Sequence, residues 1–207
     1  MAERRAGILF VIAAPSGTGK STVARRVLGK VPDLEFSISY TTRPPRRGEQ
    51  NGKHYHFVDS ERFEEMRAED SFLESATVYG NLYGTGLKAT RHALDEGRDL
   101  LLDIDVQGAR QVSRGPIDAA SIMILPPNFA TLASRLSDRG SEDETQRARR
   151  LEQAREEVEE YGEFNYLVVN EDLDTTVDDV CAIVRAERRS TKRCAGEARR
   201  ILATFPT

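Results

Sequence analysis

Short runs of apolar residues recur along the chain without alternating with polar ones. The first run, at 8–13, reads ILFVIA and leads into a turn that contains Pro and Gly. Runs of this length that are apolar at every position are typical of strands buried on both faces of a parallel sheet. We predict such strands at 8–13, 100–105, 121–125 and 166–170.

Segments with helical spacing separate these runs. In the first of them the apolar residues from Val23 to Leu28 share one face, and Gly29 follows as a stop signal. Thr175 and Asp178 have the spacing of a capping box at the start of the last one. Helices are predicted at 21–28, 60–68, 85–96, 128–137, 142–160 and 174–193. Strands that alternate with helices in this way predict an α/β fold with a parallel sheet.

The stretch 37–57 does not follow this alternation. It is rich in Thr, Arg, Pro, Gly and aromatic residues, and polar and apolar residues alternate at 36–40 and 54–58. A period of two is typical of half-exposed strands, so this stretch predicts a small antiparallel module with a long loop. The segment 37–90 is therefore an insertion between the first helix and the second core strand.

Length and composition restrict the class of protein. The 207 residues are 39% hydrophobic and 31% charged, which suits one sizeable globular core. The longest apolar run, 8–14, is too short for a membrane span or a signal segment, so we expect a cytoplasmic protein with no membrane association. A net charge of −4 argues against nucleic-acid binding. The sequence does not distinguish a monomer from a homo-oligomer.

Two residue types that often carry chemistry are scarce. Two cysteines are too few for a disulfide framework, and three histidines make a histidine-rich metal site improbable. Among the 30 basic residues, 25 are Arg and 5 are Lys. Most of these arginines are expected to be solvated.

A glycine-rich turn separates the first predicted strand from the first helix. Its sequence, A-P-S-G-T-G-K-S, has the spacing of a P-loop, although Ala14 stands where the motif usually has Gly and therefore needs a negative φ. Inward-facing N–H groups and the helix N-terminus make an anion site there. Lys20 would reach the β- and γ-phosphates, and Ser21 would bind Mg²⁺. A turn without any ligand is the alternative. The predicted nucleoside triphosphate site consists of Ala14, Pro15, Ser16, Gly17, Thr18, Gly19, Lys20, Ser21 and Thr22.

A second candidate anion site follows in the inserted module. The sequence S-Y-T-T-R-P-P-R-R-G-E at 39–49 collects arginines and hydroxyls in one loop stiffened by two prolines. Arginine forks bind phosphate through two parallel hydrogen bonds. The alternative is a solvated basic loop. Beside a P-loop, a second anion site suggests an acceptor that is itself phosphorylated.

The ordered set of motifs resembles the guanylate kinase family. After the P-loop and S-Y-T-T-R-P-P-R-x-G-E come F-L-E at 72–74, G-N-x-Y-G-T at 80–85, L-D-I-D-x-Q-G at 102–108, I-L-P-P at 124–127, R-L-x-x-R-G at 135–140 and V-N-E-D at 169–172. Each motif alone is weak, but together they cover nearly the whole chain in order. Departures from the family pattern are Ala14, Leu82 where an aromatic residue is common, and Gly86-Leu87 after Thr85.

The resemblance implies a domain organisation. The expected fold is a P-loop kinase core with a five-stranded parallel sheet flanked by helices, a small mixed α+β GMP-binding insertion and a helical lid. The core would comprise 1–36, 91–126 and 161–207, the GMP-binding domain 37–90 and the lid 127–160. We expect the insertion and the lid to move against the core, because two bound nucleotides must be closed off from water.

The resemblance also implies a reaction and its residues. The γ-phosphoryl group of ATP passes to GMP or dGMP and gives ADP and GDP, as a step of purine nucleotide metabolism that requires Mg²⁺. The implied GMP-binding residues are Ser39, Arg43, Arg46, Tyr55 and Tyr83 for the phosphate, and Glu74 and Thr85, assisted by Asp105, for the base. The implied catalytic residues are Lys20, Arg43, Asp103, Arg139 and Arg150, with Arg135 and Asn170 on the ATP side and Ser21 and Asp103 at the metal.

The residues themselves are consistent with such chemistry. Asp103 and Asp105 are two positions apart on a predicted strand, so we expect both to face the same side at the carboxyl edge of the sheet, where ligands of α/β proteins bind. Two carboxylates that face the same side repel each other unless a cation lies nearby. Phosphoryl transfer to a phosphate needs no general base, because the acceptor is largely ionised at neutral pH, with a pKa near about 6.

Two other functions are kept as alternatives. A guanylate-kinase-like scaffold domain would bind phosphopeptides without catalysis, but such domains have typically lost the intact phosphate loop that Gly19, Lys20 and Ser21 retain here. A kinase for a phosphorylated ribose would keep the phosphate loop but would have no use for Glu74 and Thr85 as readers of a base.

Overall fold

A five-stranded parallel sheet forms the centre of the protein. The computed structural model describes residues 5–78, 80–137 and 144–206. The strands of the sheet are β1 (Leu9–Ala13), β2 (Leu34–Phe36), β7 (Asp99–Asp103), β8 (Ala119–Leu125) and β9 (Tyr166–Val169), in the order β2-β7-β1-β8-β9. Every neighbouring pair is parallel. The predicted α/β fold is therefore confirmed.

Helices cover both faces of this sheet, which explains the continuous apolar run of β1. Phe10 and Ile12 pack with α1 (Lys20–Lys30) and α7 (Leu173–Glu187) on one face. Leu9 and Val11 pack with α3 (Leu87–Asp95) and α4 (Val106–Ser113) on the other face. Alternate residues of a strand point to opposite faces, so a strand covered on both sides is apolar at every position.

The fifth strand of the sheet, β2, was not predicted. The alternation at 36–40 suggested a strand of the inserted module, but the structure divides this segment. Residues up to Phe36 pair in parallel with β7, and the module begins with a separate strand at Tyr40. Only Leu34 of β2 is buried, because β2 is an edge strand of three residues. So short an edge strand leaves almost no apolar pattern in the sequence.

The insertion forms a second, four-stranded sheet. Its strands are β3 (Tyr40–Thr41), β4 (His56–Phe57), β5 (Phe72–Val78) and β6 (Asn81–Gly86), in the order β4-β3-β6-β5, and α2 (Ser60–Ala68) lies between β4 and β5 in sequence. β3 pairs in parallel with β4, whereas the other two pairs are antiparallel. The predicted small module is confirmed, but its sheet is mixed.

The hairpin of β5 and β6 corrects one predicted helix. A helix was expected from Thr85, but Thr85 lies on β6, opposite Glu74 of β5. The helix α3 begins only at Leu87. Gly84 and Gly86 have no side chains and therefore obscure the strand pattern of β6 in the sequence. A Cβ at Gly84 would lie only 2.9 Å from the ring of Phe72.

Two helices and a short 3₁₀-helix lie between β8 and β9. They are α5 (Phe129–Ser137), α6 (Glu144–Glu159) and the 3₁₀-helix Glu160–Glu163. Both long helices agree with the predictions for 128–137 and 142–160 within two residues. The preceding helix α4 was not predicted.

The C-terminal helix is divided in two. A single helix was expected over 174–193, but α7 ends at Glu187 and α8 (Thr191–Leu202) follows. At the break, the guanidinium of Arg188 bonds to Asp99 and to the carbonyls of Pro32 and Asp33. The predicted capping box is also wrong, because Asp172 caps α7 by accepting from the Thr175 N–H. No helix within the described ranges has an apolar stretch long enough to cross a bilayer.

Candidate active site

The glycine-rich turn between β1 and α1 has the backbone geometry of an anion site. Gly17 and Gly19 have φ angles of 90° and 96°, values that other residues rarely adopt. Among the described residues other than glycine, only Asp33 and Asp70 have a positive φ. Ala14 therefore has the negative φ that an alanine needs at this position of the turn. The helix α1 starts directly after Gly19. Its N-terminal N–H groups and dipole therefore face the turn.

The lysine of this turn is paired with an acid from the neighbouring strand. Lys20 Nζ contacts Asp103 Oδ1, and both side chains are largely buried. Asp103 is the last residue of β7, which lies beside β1 in the sheet, so the carboxyl ends of two strands bring the pair together. Ser21 follows in the first turn of α1 and is exposed.

The sequence suggested that Asp105 lies on the same strand as Asp103, but the structure places it outside that strand. The strand β7 ends at Asp103, and Asp105 is the N-cap of α4. Its Oδ1 accepts a hydrogen bond of 2.6 Å from the Gly108 N–H. The two carboxylates thus have separate partners, a lysine for Asp103 and a helix N-terminus for Asp105. Each partner offsets the repulsion that the sequence led us to expect between the two carboxylates.

A buried carboxylate lies next to this cap. Glu74 on β5 is 4% exposed, and Thr85 Oγ1 donates to its Oε1 over 2.7 Å. Gly108 leaves room for it, because a Cβ there would lie 2.7 Å from Glu74 Oε2. Burial raises the pKa of Glu74 to about 7, and the charge of Asp105 adds to this, whereas the hydrogen bond from Thr85 and the charge of Lys20 oppose it.

The arginine loop gathers around an aromatic cluster. The guanidinium of Arg43 lies over the rings of Tyr55 and Phe57, with its Cζ 5.5 and 5.9 Å from their centroids. The rings of Tyr55 and Tyr83 meet edge to face at 6.0 Å. Ser39 Oγ lies 3.4 Å from Thr85 Oγ1. The structure thus brings Ser39, Arg43, Tyr55 and Tyr83 to one side of the small sheet.

Glu49 holds Arg43 in this position, a role that the sequence did not indicate. Arg43 Nη2 lies 2.9 and 3.0 Å from the two carboxylate oxygens of Glu49. The hydrogen bond from Arg43 holds the pKa of Glu49 below its ordinary value. The Arg46 N–H also donates to Glu49, over 2.6 Å, while the side chain of Arg46 is exposed.

Two arginines from the segment after β8 reach the phosphate loop. Arg150 of α6 is 9% exposed, and its Nη2 donates to Ser16 Oγ over 2.8 Å. Arg135 of α5 lies 3.4 Å from the Thr18 carbonyl oxygen. The two arginines, which the sequence predicted as site residues, thus contact the same glycine-rich turn from two different helices. Arg139 lies outside the described residues.

Asn170 completes the other side of the loop. Its Nδ2 donates to the Thr18 carbonyl over 2.7 Å, and its Oδ1 accepts from Thr176 over 3.1 Å. A cleft of about 350 Å³ opens here. Its lining consists of Thr18, Gly19, Thr22, Arg135, Asn170, Glu171, Asp172 and Leu173.

Glu157 is a further acid that reaches the phosphate loop, and the sequence did not indicate this contact. Glu157 belongs to α6, a helix with many Glu and Arg residues. Burial raises its pKa, and the charge of Asp105 adds to this, while hydrogen bonds from Gln153 and from the Ser16 N–H and the charge of Lys20 oppose it. No sequence signal separates Glu157 from the exposed glutamates beside it.

The comparisons with known proteins agree with this geometry. A family model described as guanylate kinase matches residues 7–187. A guanylate kinase from Syntrophotalea carbinolica is 48% identical over 96% of this chain and 94% of its own. One from Nitrosomonas europaea is 48% identical over 95% of this chain and 98% of its own.

A solved structure extends the likeness to three dimensions. The crystal structure of guanylate kinase from Anaplasma phagocytophilum matches with a TM-score of 0.74 and 33% identity, over 92% of this chain and 90% of that one. The region that the family model matches, 7–187, contains the glycine-rich turn, the arginine loop and the buried Glu74–Thr85 pair. The chain belongs to the guanylate kinase family.

Proposed function

We propose that this site carries out the guanylate kinase reaction, in which the γ-phosphoryl group of ATP is transferred to GMP and yields ADP and GDP. The observation that carries the proposal is the buried Glu74–Thr85 pair. Burial raises the pKa of Glu74, and the pair lies close enough to the phosphate loop for the charge of Lys20 to oppose this rise. On the phosphate side, burial raises the pKa of Tyr55, and the charges of Tyr83 and Asp103 add to this. Charged side chains beside the phosphate loop are therefore close enough to influence the pKa of residues in the second anion site.

Glu74 and Thr85 are the proposed readers of guanine. An ionised Glu74 accepts from the N1–H and the exocyclic amine of the base. The Thr85 hydroxyl, which donates to Glu74 in the absence of nucleotide, turns to donate to O6. Adenine lacks the exocyclic amine at that position and has an acceptor at N1. Because a buried carboxylate without donors is costly, the site rejects adenine by a large factor, on the order of 10⁴. Asp105 supports this arrangement through the cap beside Glu74.

The aromatic cluster and its arginine are proposed to hold the phosphate of GMP. Arg43 supplies a fork of N–H donors, and the hydroxyls of Ser39, Tyr55 and Tyr83 face the same region. Arg46 is exposed in the stiff loop and adds a second positive charge. Its flexible side chain reaches the phosphate when the loop closes over the nucleotide.

The phosphate loop is proposed to hold ATP from the opposite side. The backbone N–H groups of the glycine-rich turn surround the phosphates, and Lys20 contacts the transferred group as it carries developing charge. Arg150 and Arg139 add positive charge from the lid. Arg135 and Asn170 face the nucleoside end of ATP in the cleft beside Thr18.

Ser21 and Asp103 are the residues that would hold Mg²⁺ together with the nucleotide. The donors are a hydroxyl and a carboxylate, which are oxygen ligands of the kind that Mg²⁺ prefers. The described residues contain no group of three His, Cys, Asp or Glu side chains that could hold a metal by themselves. When bound with ATP, the metal neutralises charge on the β- and γ-phosphates.

No residue of the site is required as a general base. The acceptor oxygen belongs to a phosphate that is largely ionised at neutral pH, so the work of the protein is to align two polyanions and exclude water. We propose that 37–90 closes as the GMP-binding domain and 127–160 as the lid, against a core of 1–36, 91–126 and 161–207. The hydrogen bond from Arg150 to Ser16 of the phosphate loop supports this assignment.

The test is an assay of ADP release from ATP with GMP, dGMP, AMP and ribose phosphates as acceptors. GMP is expected to be the best acceptor. A preference for a ribose phosphate would replace this proposal with a sugar-phosphate kinase. A protein that does not bind ATP in calorimetry with Mg²⁺ would instead be a scaffold-type binding domain.

A further inference from the structure

The strand that carries Glu74 is the outer strand of the small sheet. β5 pairs on one side with β6, and its other side faces α4 of the core. Outer strands have backbone N–H and C=O groups without a partner strand. In β5 one such residue is Ser75, directly after Glu74.

A glutamine side chain supplies the missing partner. Gln111 Oε1 accepts from the Ser75 N–H over 3.0 Å, and Gln111 Nε2 donates to the Ser75 carbonyl over 2.8 Å. A primary amide has an acceptor and a donor side by side, so it can pair with both backbone groups of one strand residue at once. The side chain of Gln111 thus extends the sheet by one position.

The neighbouring residues of β5 are fixed to the same helix face. Leu73 packs in the core cluster that includes Val112. Glu74 lies against Gly108, which is three positions before Gln111 and hence on the same face of α4. Two consecutive strand residues, Glu74 and Ser75, are therefore held by α4, and the first of them is the buried carboxylate.

We propose that Gln111 is a positioning residue for guanine recognition, and this rests on the proposed function. By fixing the backbone at Ser75, it fixes the direction in which Glu74 points. Gln111 does not touch the nucleotide in this proposal and acts only through Glu74.

The alternative is that Gln111 contributes only to stability. A purely structural role predicts lower stability with unchanged substrate preference, since the remaining folded molecules would have an intact site. A positioning role predicts a specific loss toward GMP. A misplaced Glu74 loses contacts to guanine, while the ATP site, built from the phosphate loop, is unaffected.

The variant Gln111→Met removes both hydrogen bonds with little change in volume or helix propensity. We expect the KM for GMP to rise about tenfold, the change that roughly 1.4 kcal/mol of lost hydrogen bonding produces. The KM for ATP should stay within twofold of wild type, and the preference for GMP over AMP should fall by a similar factor of about ten. Ser113→Ala is the matched control, because Ser113 is exposed on the same helix and its hydroxyl donates to the carbonyl of Arg110.

A second measurement does not depend on activity. The amide hydrogen of Ser75, followed by NMR without nucleotide, should exchange at least about ten times faster in Gln111→Met and at the wild-type rate in Ser113→Ala. If Gln111→Met does not fold, Gln111→Glu serves instead. It keeps the acceptor for the Ser75 N–H and loses the donor to the carbonyl, so GMP binding should weaken while Ser75 stays protected.

Failure of this inference is distinct from failure of the proposed function. A wild-type protein that does not prefer GMP overturns the function itself. A wild-type protein that prefers GMP, with an unchanged KM and preference in Gln111→Met, overturns only the role of Gln111. Equal increases in the KM for GMP and ATP would also overturn it, because they would show a general loss of structure.

Discussion

Thr85 on β6 donates its hydroxyl hydrogen to Glu74 on β5 over 2.7 Å, and both side chains are buried. The hydrogen bond favours the ionised form of Glu74, but burial outweighs it and raises the pKa of Glu74 to about 7. Without nucleotide, Glu74 is therefore close to half protonated at neutral pH. A protonated Glu74 cannot accept from both the N1–H and the amine of guanine.

The first prediction concerns the pH dependence of GMP binding. The KM for GMP should rise as the pH falls below about 7, approaching a tenfold increase per pH unit, because binding must then displace a proton from Glu74. The phosphate of GMP also titrates near about 6. Glu74→Gln separates the two effects, since it keeps the titration of the substrate. The KM measured from pH 5.5 to 8.5 should show a weaker dependence in this variant, and equal slopes would contradict the role of Glu74.

The second prediction concerns stability. The folded-state pKa of Glu74 lies above the ordinary value of 4.5. Between pH 4.5 and about 7, the folded protein therefore still holds a proton that the unfolded chain has released. This contribution is fully present below pH 4.5 and is lost as the pH rises through about 7. Between pH 5 and 8, the unfolding free energy of wild type should fall relative to that of Glu74→Gln by on the order of 2 kcal/mol. Denaturant unfolding without nucleotide measures this, and parallel pH profiles would contradict it.

The third prediction compares two lysines on the same helix. Lys20→Ala should lower kcat by on the order of 10²- to 10³-fold while the fold remains, because Lys20 is proposed to contact the transferred phosphoryl group. Lys30→Ala removes an exposed ion pair to Asp178, 2.8 Å long, at the other end of α1. It should leave kcat unchanged and cost less than about 1 kcal/mol of stability. Circular dichroism and steady-state kinetics report both, and normal turnover in Lys20→Ala would exclude the phosphate role.

The fourth prediction concerns the fork of Arg43. Lysine keeps the charge but cannot form two parallel hydrogen bonds or stack on Tyr55 and Phe57 in the same way. Arg43→Lys should therefore raise the KM for GMP by about tenfold with little effect on the KM for ATP. Arg47→Lys, an exposed arginine of the same loop, is the matched control and should behave as wild type. Identical kinetics for both variants would rule out specific phosphate binding by Arg43.

The sequence predicts the core of this fold well, because packing on both faces makes the pattern strong. β1 is apolar at every position since α1 and α7 cover one face and α3 and α4 the other. The glycine-rich turn is equally clear, since positive φ angles at Gly17 and Gly19 require glycine. These features depend on neighbours in sequence or on burial on all sides.

The candidate site is less predictable where it depends on contacts between distant segments. The burial of Glu74 results from α4, which lies more than thirty positions later in the chain and was itself not predicted. The pair of Gln111 with Ser75 joins residues 36 positions apart. Asp105 was placed on a strand because the sequence does not reveal that the strand ends two residues earlier and that Asp105 caps a helix. Such contacts follow from the topology and leave no local pattern.

The preference for guanine over adenine, measured as the ratio of kcat/KM for GMP to that for AMP, tests the central claim most directly. We predict a ratio on the order of 10⁴ in wild type and a fall of at least about a hundredfold in Glu74→Ala, with the KM for ATP unchanged. A wild-type ratio near one, or an equal loss toward both acceptors in Glu74→Ala, would contradict recognition of guanine by the buried carboxylate.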